Sequence, residues 1–270
     1  MTFHKYHGTG NDFVLIDDRT QVFDETDSVR IAQLCHRRFG IGADGLILLR
    51  NKPDFDFEMV YFNADGHPSS MCGNGGRCTV AFAKFLGLIN DQAYFLAVDG
   101  PHQACVETDG TVRLRMIDVA APQPAGPGAA DDVFLHTGSP HHVRFLPAGL
   151  AALDVFAEGR ALRHGPPYGA AGANINFVEI PAHPAQPWSV RTYERGVEDE
   201  TLSCGTGVTA VALAASARGA RSPVRLSTPG GELEVAFQEG GDGGFTNVWL
   251  SGPAVRVFAG SVEPWGAGAA

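Results

Sequence analysis

The sequence predicts an α/β (α+β) chain of two pseudo-symmetric domains, each a mostly antiparallel, mixed sheet wrapped around a central helix. Three observations predict it. A cysteine turn occurs twice, as "MCGNGGRC" at 71–78 and "SCGTGVTA" at 203–210. Each turn leads into a run rich in small and apolar residues, "RCTVAFAKFLG" (77–87) and "VTAVALAASARG" (208–219), and a helix that is apolar on every face is a buried one. The order of strand-like and helix-like runs also repeats between the halves, the signature of an internal duplication.

The elements follow in that order. "FVLIDD" (13–18) and "HHVRFL" (141–146) are apolar or alternating and read as strands, as do "FEMVYFN" (57–63) and "WSVRTYE" (188–194). "SVRIAQLCHRRFG" (28–40) and "LAALDVFAEGRALR" (150–163) have helical spacing, with Asp27-Ser28 as N-cap and Gly40 as stop for the first. "ADGLILL" (43–49) falls on "ANINFVE" (173–179), and "YFNADG" (61–66) on "RTYERG" (191–196). The second cysteine arrives two residues late in that register, and "VEDE" (197–200) reads as the loop insertion responsible. "VAAPQPAGPGAADD" (119–132) is rich in Pro, Gly and Ala and marks the linker. The expected domains are 1–118 and 119–261, with the active site in the cleft between them, a favoured place for a ligand.

The formal net charge is −10 over 270 residues, which argues against a nucleic-acid backbone or an anionic membrane as partner. The chain opens on "MTFHKYHGTGND" with no apolar signal region, and no run has the length of a membrane helix. The expected address is the cytoplasm, where the five cysteines are reduced thiols. Cys35, Cys78 and Cys105 read as small hydrophobes. Zinc is not expected, because Cys72 and Cys78 lack the close spacing of a zinc pair and no paired His follows. "CGNGGR" lacks the Lys-Ser/Thr of a phosphate loop.

Cys72 and Cys204 are different. The first-turn N–H groups and dipole of a helix form an anion site, and a cysteine in that field has a lowered pKa. Two such turns converging on one carboxylate place a sulfur on either side of its α-carbon. That is the requirement for inverting a stereocentre: one thiolate removes the α-proton while the opposite thiol delivers one.

At these residues the chain resembles the diaminopimelate epimerases. The resemblance covers nearly the whole chain and rests on "HGTGNDF", "GIGADGL", "FNADG", "MCGNGGRC", "GSPH", "NINFVE", "YERG" and "ETLSCGTG", in the family's order. It implies a cofactor-independent, metal-free isomerase interconverting LL- and meso-diaminopimelate, with Cys72 and Cys204 as acid–base thiols. It implies that backbone N–H groups of Gly73, Asn74, Gly205 and Thr206 bind the reacting carboxylate. Asn11, Asn63, Asn174 and Arg195 match positions holding the substrate's distal end. His141 and Glu194 match positions that adjust cysteine ionisation, and Glu194 can also receive an ammonium group. A homodimer is implied, as is a C-terminal tail (262–270) returning to the first domain. Ser139 stands where many members carry Asn, Gly45 where some carry Gln, and "GVEDET" is longer than the commoner loop. The rival readings are a racemase of the same architecture acting on proline or hydroxyproline, and a non-catalytic amino-acid-binding or redox-sensing protein.

Overall fold

A computed structural model describes residues 1–69, 71–126, 131–166 and 168–263. They form two compact units, Met1–Val112 together with the chain from Pro253 onward, and Arg113–Gly252.

The first unit contains β1 (Thr2–Gly8), β2 (Asn11–Asp17), α1 (Ser28–Cys35), β3 (Gly45–Arg50), β4 (Phe57–Asn63), α2 (Gly73–Phe85), β5 (Gln92–Ala97) and β6 (Gly100–Val106). β1 and β2 pair antiparallel, β2 and β3 parallel, β3 and β4 antiparallel, β4 and β5 parallel, and β5 and β6 antiparallel. Helix α2 packs against β1, β2, β3, β4 and β6. Its residues from Gly73 to Val80 are all buried, and only Lys84 and Phe85 at its end are exposed.

The chain passes through β7 (Val112–Arg115) and β8 (Gln123–Pro124) and then repeats the plan. β9 (Val133–His136), β10 (Pro140–Leu146), α3 (Val155–Arg163), β11 (Asn174–Glu179), β12 (Trp188–Glu194), β13 (Asp199–Thr201), α4 (Gly205–Ser216), β14 (Val224–Thr228), β15 (Gly231–Glu239) and β16 (Phe245–Gly252) follow. β9 and β10 pair antiparallel, β10 and β11 parallel, β11 and β12 antiparallel, β12 and β14 parallel, and β14 and β15 antiparallel. The alternation is that of the first unit, pair by pair. Helix α4 packs against β9, β10, β11, β12, β14, β15 and β16, and Val208, Val211 and Leu213 are wholly buried in the core it shares with Val143, Val190, Leu226 and Val235. The duplicated α+β fold read from the two cysteine turns is therefore the fold observed.

The boundaries are drawn by pairing. Met116 and Val119 donate backbone hydrogen bonds to Val248 and Phe245, so residues 113–118 group with the second unit. β17 (Val255–Ser261) pairs antiparallel with β1, which carries residues 253–261 to the first. The amino terminus donates to the Val262 carbonyl at 2.8 Å; residues 264–270 of the expected tail lie outside the described residues.

Two helices are shorter than their periodicity predicts. α1 stops at Cys35 because His36 turns extended (φ −68°, ψ 124°) and its ring Nδ1 accepts the N–H groups of Arg38 and Phe39. The run from Leu150 splits into a 3-10 turn, Leu150–Ala152, and α3, because Asp154 caps α3 by accepting from the Ala157 N–H at 3.0 Å. The turn after β4 depends on Gly66. Its φ is +87°, and a Cβ there would lie 2.0 Å from the Ser28 carbonyl at the start of α1. Gly66→Ala is expected to lower stability by about 2–4 kcal/mol, a backbone strain plus a backbone clash; an unchanged urea midpoint would contradict that geometry.

Candidate active site

Cys72 and Cys204 are the N-cap residues of α2 and α4, both with extended backbone (φ −111°, ψ 120° and φ −120°, ψ 112°). Each carbonyl accepts the first helical hydrogen bond, from Gly76 N–H at 2.7 Å and Val208 N–H at 2.9 Å. Gly73, Asn74, Gly205 and Thr206 are therefore first-turn residues, whose N–H groups have no partner within the helix and sit at the positive end of its dipole. Gly207 has to be glycine, since a Cβ would come within 2.5 Å of Asn176 Oδ1 and 3.3 Å of Cys204 Sγ. Burial pushes the thiols of Cys35 and Cys78 up to about 12, which leaves both inert. Among the described residues no group of three or more His, Cys, Asp or Glu side chains could hold a metal ion, and no helix is long and apolar enough to cross a membrane.

Around Cys72 the network is built from β2, the β2–β3 contact and α2. Asn11 Nδ2 donates to Asp44 Oδ2 at 2.7 Å, so its Oδ1 faces Cys72 Sγ (3.5 Å) and Asn74 Nδ2 (3.3 Å) as an acceptor. Asn74 Oδ1 in turn accepts from Arg77 Nη2 at 3.0 Å. Arg77 is wholly buried and, among the described residues, pairs with no carboxylate. Its other partners are Thr9 Oγ1 and the carbonyls of Gly73 and Pro253. Burial lowers its pKa, against the opposing pull of Cys78 and Cys72. Asp44 is held in a cluster with Asp12, Lys5 and Arg37. Burial would raise the Asp12 carboxyl, but hydrogen bonds from Arg37 and Lys5 bring it down to about 2. A carboxyl depressed on folding stabilises the native state above its unfolded pKa of about 4, and that stability is lost as pH falls towards 2. Urea midpoints should accordingly drop more steeply between pH 4 and 2 in the parent than in Asp12→Asn; identical slopes would remove Asp12 from the account.

Around Cys204 the network is built from β10, β11 and α4. Thr206 Oγ1 lies 3.5 Å from Cys204 Sγ, 2.9 Å from His141 Nε2 and 3.1 Å from Ser139 Oγ. Ser139 Oγ also meets His141 Nε2 at 2.9 Å and accepts from Asn174 Nδ2 at 3.3 Å. Asn174 Oδ1 accepts the Arg195 N–H at 2.9 Å. His141 is fully buried, and burial first, then the charges of His136 and Arg195, press its pKa down to about 3. It stands behind Thr206, so it reaches the sulfur through that hydroxyl.

The remaining expected residues are spread more widely. Asn63 is exposed at the end of β4. Glu194 Oε2 accepts from Thr201 Oγ1 at 2.9 Å, and the Arg195 guanidinium is exposed and donates to the Ala171 carbonyl. Gly45 is buried at the start of β3, and a Cβ there would come within 2.5 Å of both the Tyr61 ring and the Phe62 carbonyl. A longer side chain at 45 has no room, and the Tyr61 ring occupies the space. The insertion read in "VEDE" is a turn into β13, which pairs with β12 from Thr192↔Thr201. Sequence reasoning missed Arg77, Asp44, Tyr61 and Asn176. Arg77 stands inside the first cysteine motif and Asn176 inside "NINFVE", so a charged or amide side chain within an otherwise apolar run was the available signal.

The family model described as diaminopimelate epimerase matches residues 3–119 and 133–257. The chain belongs to the diaminopimelate epimerase family. A diaminopimelate epimerase of Flavobacterium psychrophilum is 50% identical over 263 residues, covering 96% of this chain and 98% of that one. One from Chlorobaculum tepidum is 43% identical, covering 94% and 98%. Among solved structures, a phenazine biosynthesis protein of the PhzF family from Bacillus anthracis aligns with a TM-score of 0.74 at 14% identity, covering 97% and 98%. A hydroxyproline epimerase from Agrobacterium vitis aligns with a TM-score of 0.66 at 15% identity, covering 96% and 91%. At those identities the two structures share the fold. Ser139 lies in the second network and Gly45 beneath Tyr61.

Proposed function

We propose that the chain is a cofactor-independent isomerase that interconverts LL- and meso-diaminopimelate with two thiols. The observation that carries this reading is the equivalence of Cys72 and Cys204, each an extended N-cap on the buried helix of a repeated unit, in a chain half identical to a diaminopimelate epimerase. In the proposed reaction the substrate carboxylate is bound by first-turn N–H groups of Gly73, Asn74, Gly205 and Thr206. Negative charge spreading onto it as the α-proton leaves is stabilised by those fixed dipoles. One sulfur takes the α-proton as thiolate, and the other returns a proton to the opposite face of the planar carbon, so that configuration inverts and the net proton count is unchanged. Asn11, Asn63, Asn174, Glu194 and Arg195 are proposed to hold the distal end. Arg195 suits a carboxylate, since a guanidinium binds one bidentately.

LL-diaminopimelate incubated in D₂O with reduced, cofactor-free protein tests the reading. The meso isomer should form with one solvent deuterium at the inverted α-carbon, read by chiral chromatography and mass spectrometry. No inversion and no exchange would overturn it, and turnover of proline or hydroxyproline instead would support the rival racemase. The proposed assembly is a homodimer in the cytoplasm, an address that suits five free cysteines; light scattering at the mass of a single chain would contradict the dimer.

A further inference from the structure

Asn176 is fully buried on β11 beneath Cys204. Its amide orientation is fixed by the His142 carbonyl. Nδ2 faces the His142 carbonyl at 2.9 Å, which can only accept, and Oδ1 takes the Thr192 hydroxyl at 3.0 Å. The same Nδ2 meets His141 Nδ1 at 3.2 Å. An amide N–H can only donate, so Nδ1 is the unprotonated nitrogen and the imidazole proton is on Nε2. Nε2–H then points at the oxygens of Thr206 and Ser139. Ser139 Oγ is already approached by the Asn174 amide. Ser139 Oγ also lies 3.1 Å from Thr206 Oγ1 and can give that oxygen its own proton, so with its oxygen filled by His141 and Ser139 the Thr206 hydroxyl has its proton to give and Cys204 Sγ lies within reach.

We propose that Asn176 is a positioning residue for the reaction: by locking the tautomer of His141 it turns the Thr206 hydroxyl towards Cys204 as a donor and favours the thiolate of that cysteine. The first cysteine is wired differently. Its partner Asn11 Oδ1 is an acceptor, held so by Asp44 and Asn74, and the residue facing back along α2 is the cation Arg77. The two turns are alike in backbone and unlike in proton supply.

Most of the other charged groups on the elements packed around α4 are bound to partners of their own. On β10, His142 is bound to Asp132 and Tyr168, and Arg144 to Asp132. Glu179 on β11 accepts from Leu150 N–H, and Arg191 on β12 pairs with Glu200. Arg225 on β14 pairs with Glu232 on β15, where Glu234 alternates with buried Leu233 and Val235 and Glu239 is exposed at the end of the strand. Glu194 accepts from Thr201. Burial first, then His136 on β9 and Arg195, disfavours a second proton on His141, which keeps Nδ1 an acceptor.

The inference rests on the epimerase reading for the role of Cys204, but its test needs no turnover. Two-dimensional NMR of the protein with ¹⁵N-labelled histidine reads the tautomer of His141, assigned by the signal absent from His141→Gln. Iodoacetamide alkylation across pH, followed by peptide mass spectrometry, reads each thiol separately. The Nε2–H tautomer is expected, and Asn176→Leu should slow alkylation of Cys204 at pH 7 by about tenfold, a shift of about one pH unit, with Cys72 unchanged. If Asn176→Leu fails to fold, Thr206→Val should give the same selective slowing. An Nδ1–H or doubly protonated His141 in the parent would overturn the proposal, as would equal slowing at Cys72 and Cys204 or none at either. Failure of the D₂O assay alone would leave these readings intact and would fault the assigned reaction instead.

Discussion

Replacing Cys72 or Cys204 by Ala is expected to reduce epimerisation by at least about 10³-fold, the upper part of the range for loss of a general acid or base. The fold should survive, because each sulfur sits at a helix N-cap and makes no side-chain cap hydrogen bond. The loss should be nearly the same for the double variant, since two groups that act as a unit are not additive. A sharper consequence follows from the chemistry. With one sulfur gone, the other can still take an α-proton from its own face, exchange it with solvent and return it to that face. Each single variant should therefore retain slow deuterium exchange without inversion for one configuration of the α-carbon, the two variants choosing opposite configurations. Alanine at either position with parental epimerisation would end the two-thiol mechanism. Exchange of both configurations in a single variant would mean that one sulfur reaches both faces.

The sequence exposed the duplicated plan because its signals are local. Two Cys-Gly turns, two runs rich in small and apolar residues and the alternation of "FEMVYFN" and "WSVRTYE" each act within a few residues. Where the reading overran, a competing local interaction had decided the matter. Periodicity carried α1 to Gly40, whereas the His36 ring gathers two N–H groups and ends it at Cys35. Asp154 likewise looked like one more residue of a helix from Leu150 and is instead the cap of α3. The two cysteines were legible for the same reason as the fold, because their positions follow from the helix they cap. The wiring behind them was not. Asn176 joins His142, Thr192 and His141 from two other strands, and Arg77 joins Thr9 and Pro253 from opposite ends of the chain. Such contacts depend on register between distant strands, which no short stretch encodes. Gly45 illustrates the same limit. As a letter it reads as a missing side chain, while in the fold it is the space that Tyr61 fills.

Arg77→Met should cost about 3 kcal/mol of stability and, in the molecules that remain folded, much of the activity. The side chain is wholly buried, and a guanidinium there stays charged, since Arg is not deprotonated in proteins. Burying such a charge is costly, so replacing it by an apolar chain of similar length recovers some of that cost. Against this stand the acceptors it serves: Thr9 Oγ1, Asn74 Oδ1 and the Pro253 carbonyl, with the Gly73 carbonyl at the longest distance of 3.5 Å. Removing a donor from a buried acceptor costs up to about 1–3 kcal/mol, so three such losses outweigh the relief. Arg77→Lys does not rescue them, because an ammonium is a compact donor and cannot span the same fork of acceptors. The effect on activity has a defined route. Arg77 holds Asn74 with its Oδ1 inward, Asn74 holds Asn11, and Asn11 meets Cys72. Release of the first link frees the amide of Asn74 to turn over, and the oxygen facing Cys72 is then held through Asp44 alone. Urea denaturation with parallel kinetics separates the two effects: the midpoint reports the lost acceptors, and a fall in kcat at a denaturant-free, fully folded temperature reports the loosened chain. An unchanged midpoint would mean that Thr9, Asn74 and Pro253 find other donors. A lowered midpoint with parental kcat would confine Arg77 to tying α2 to the returning strand β17.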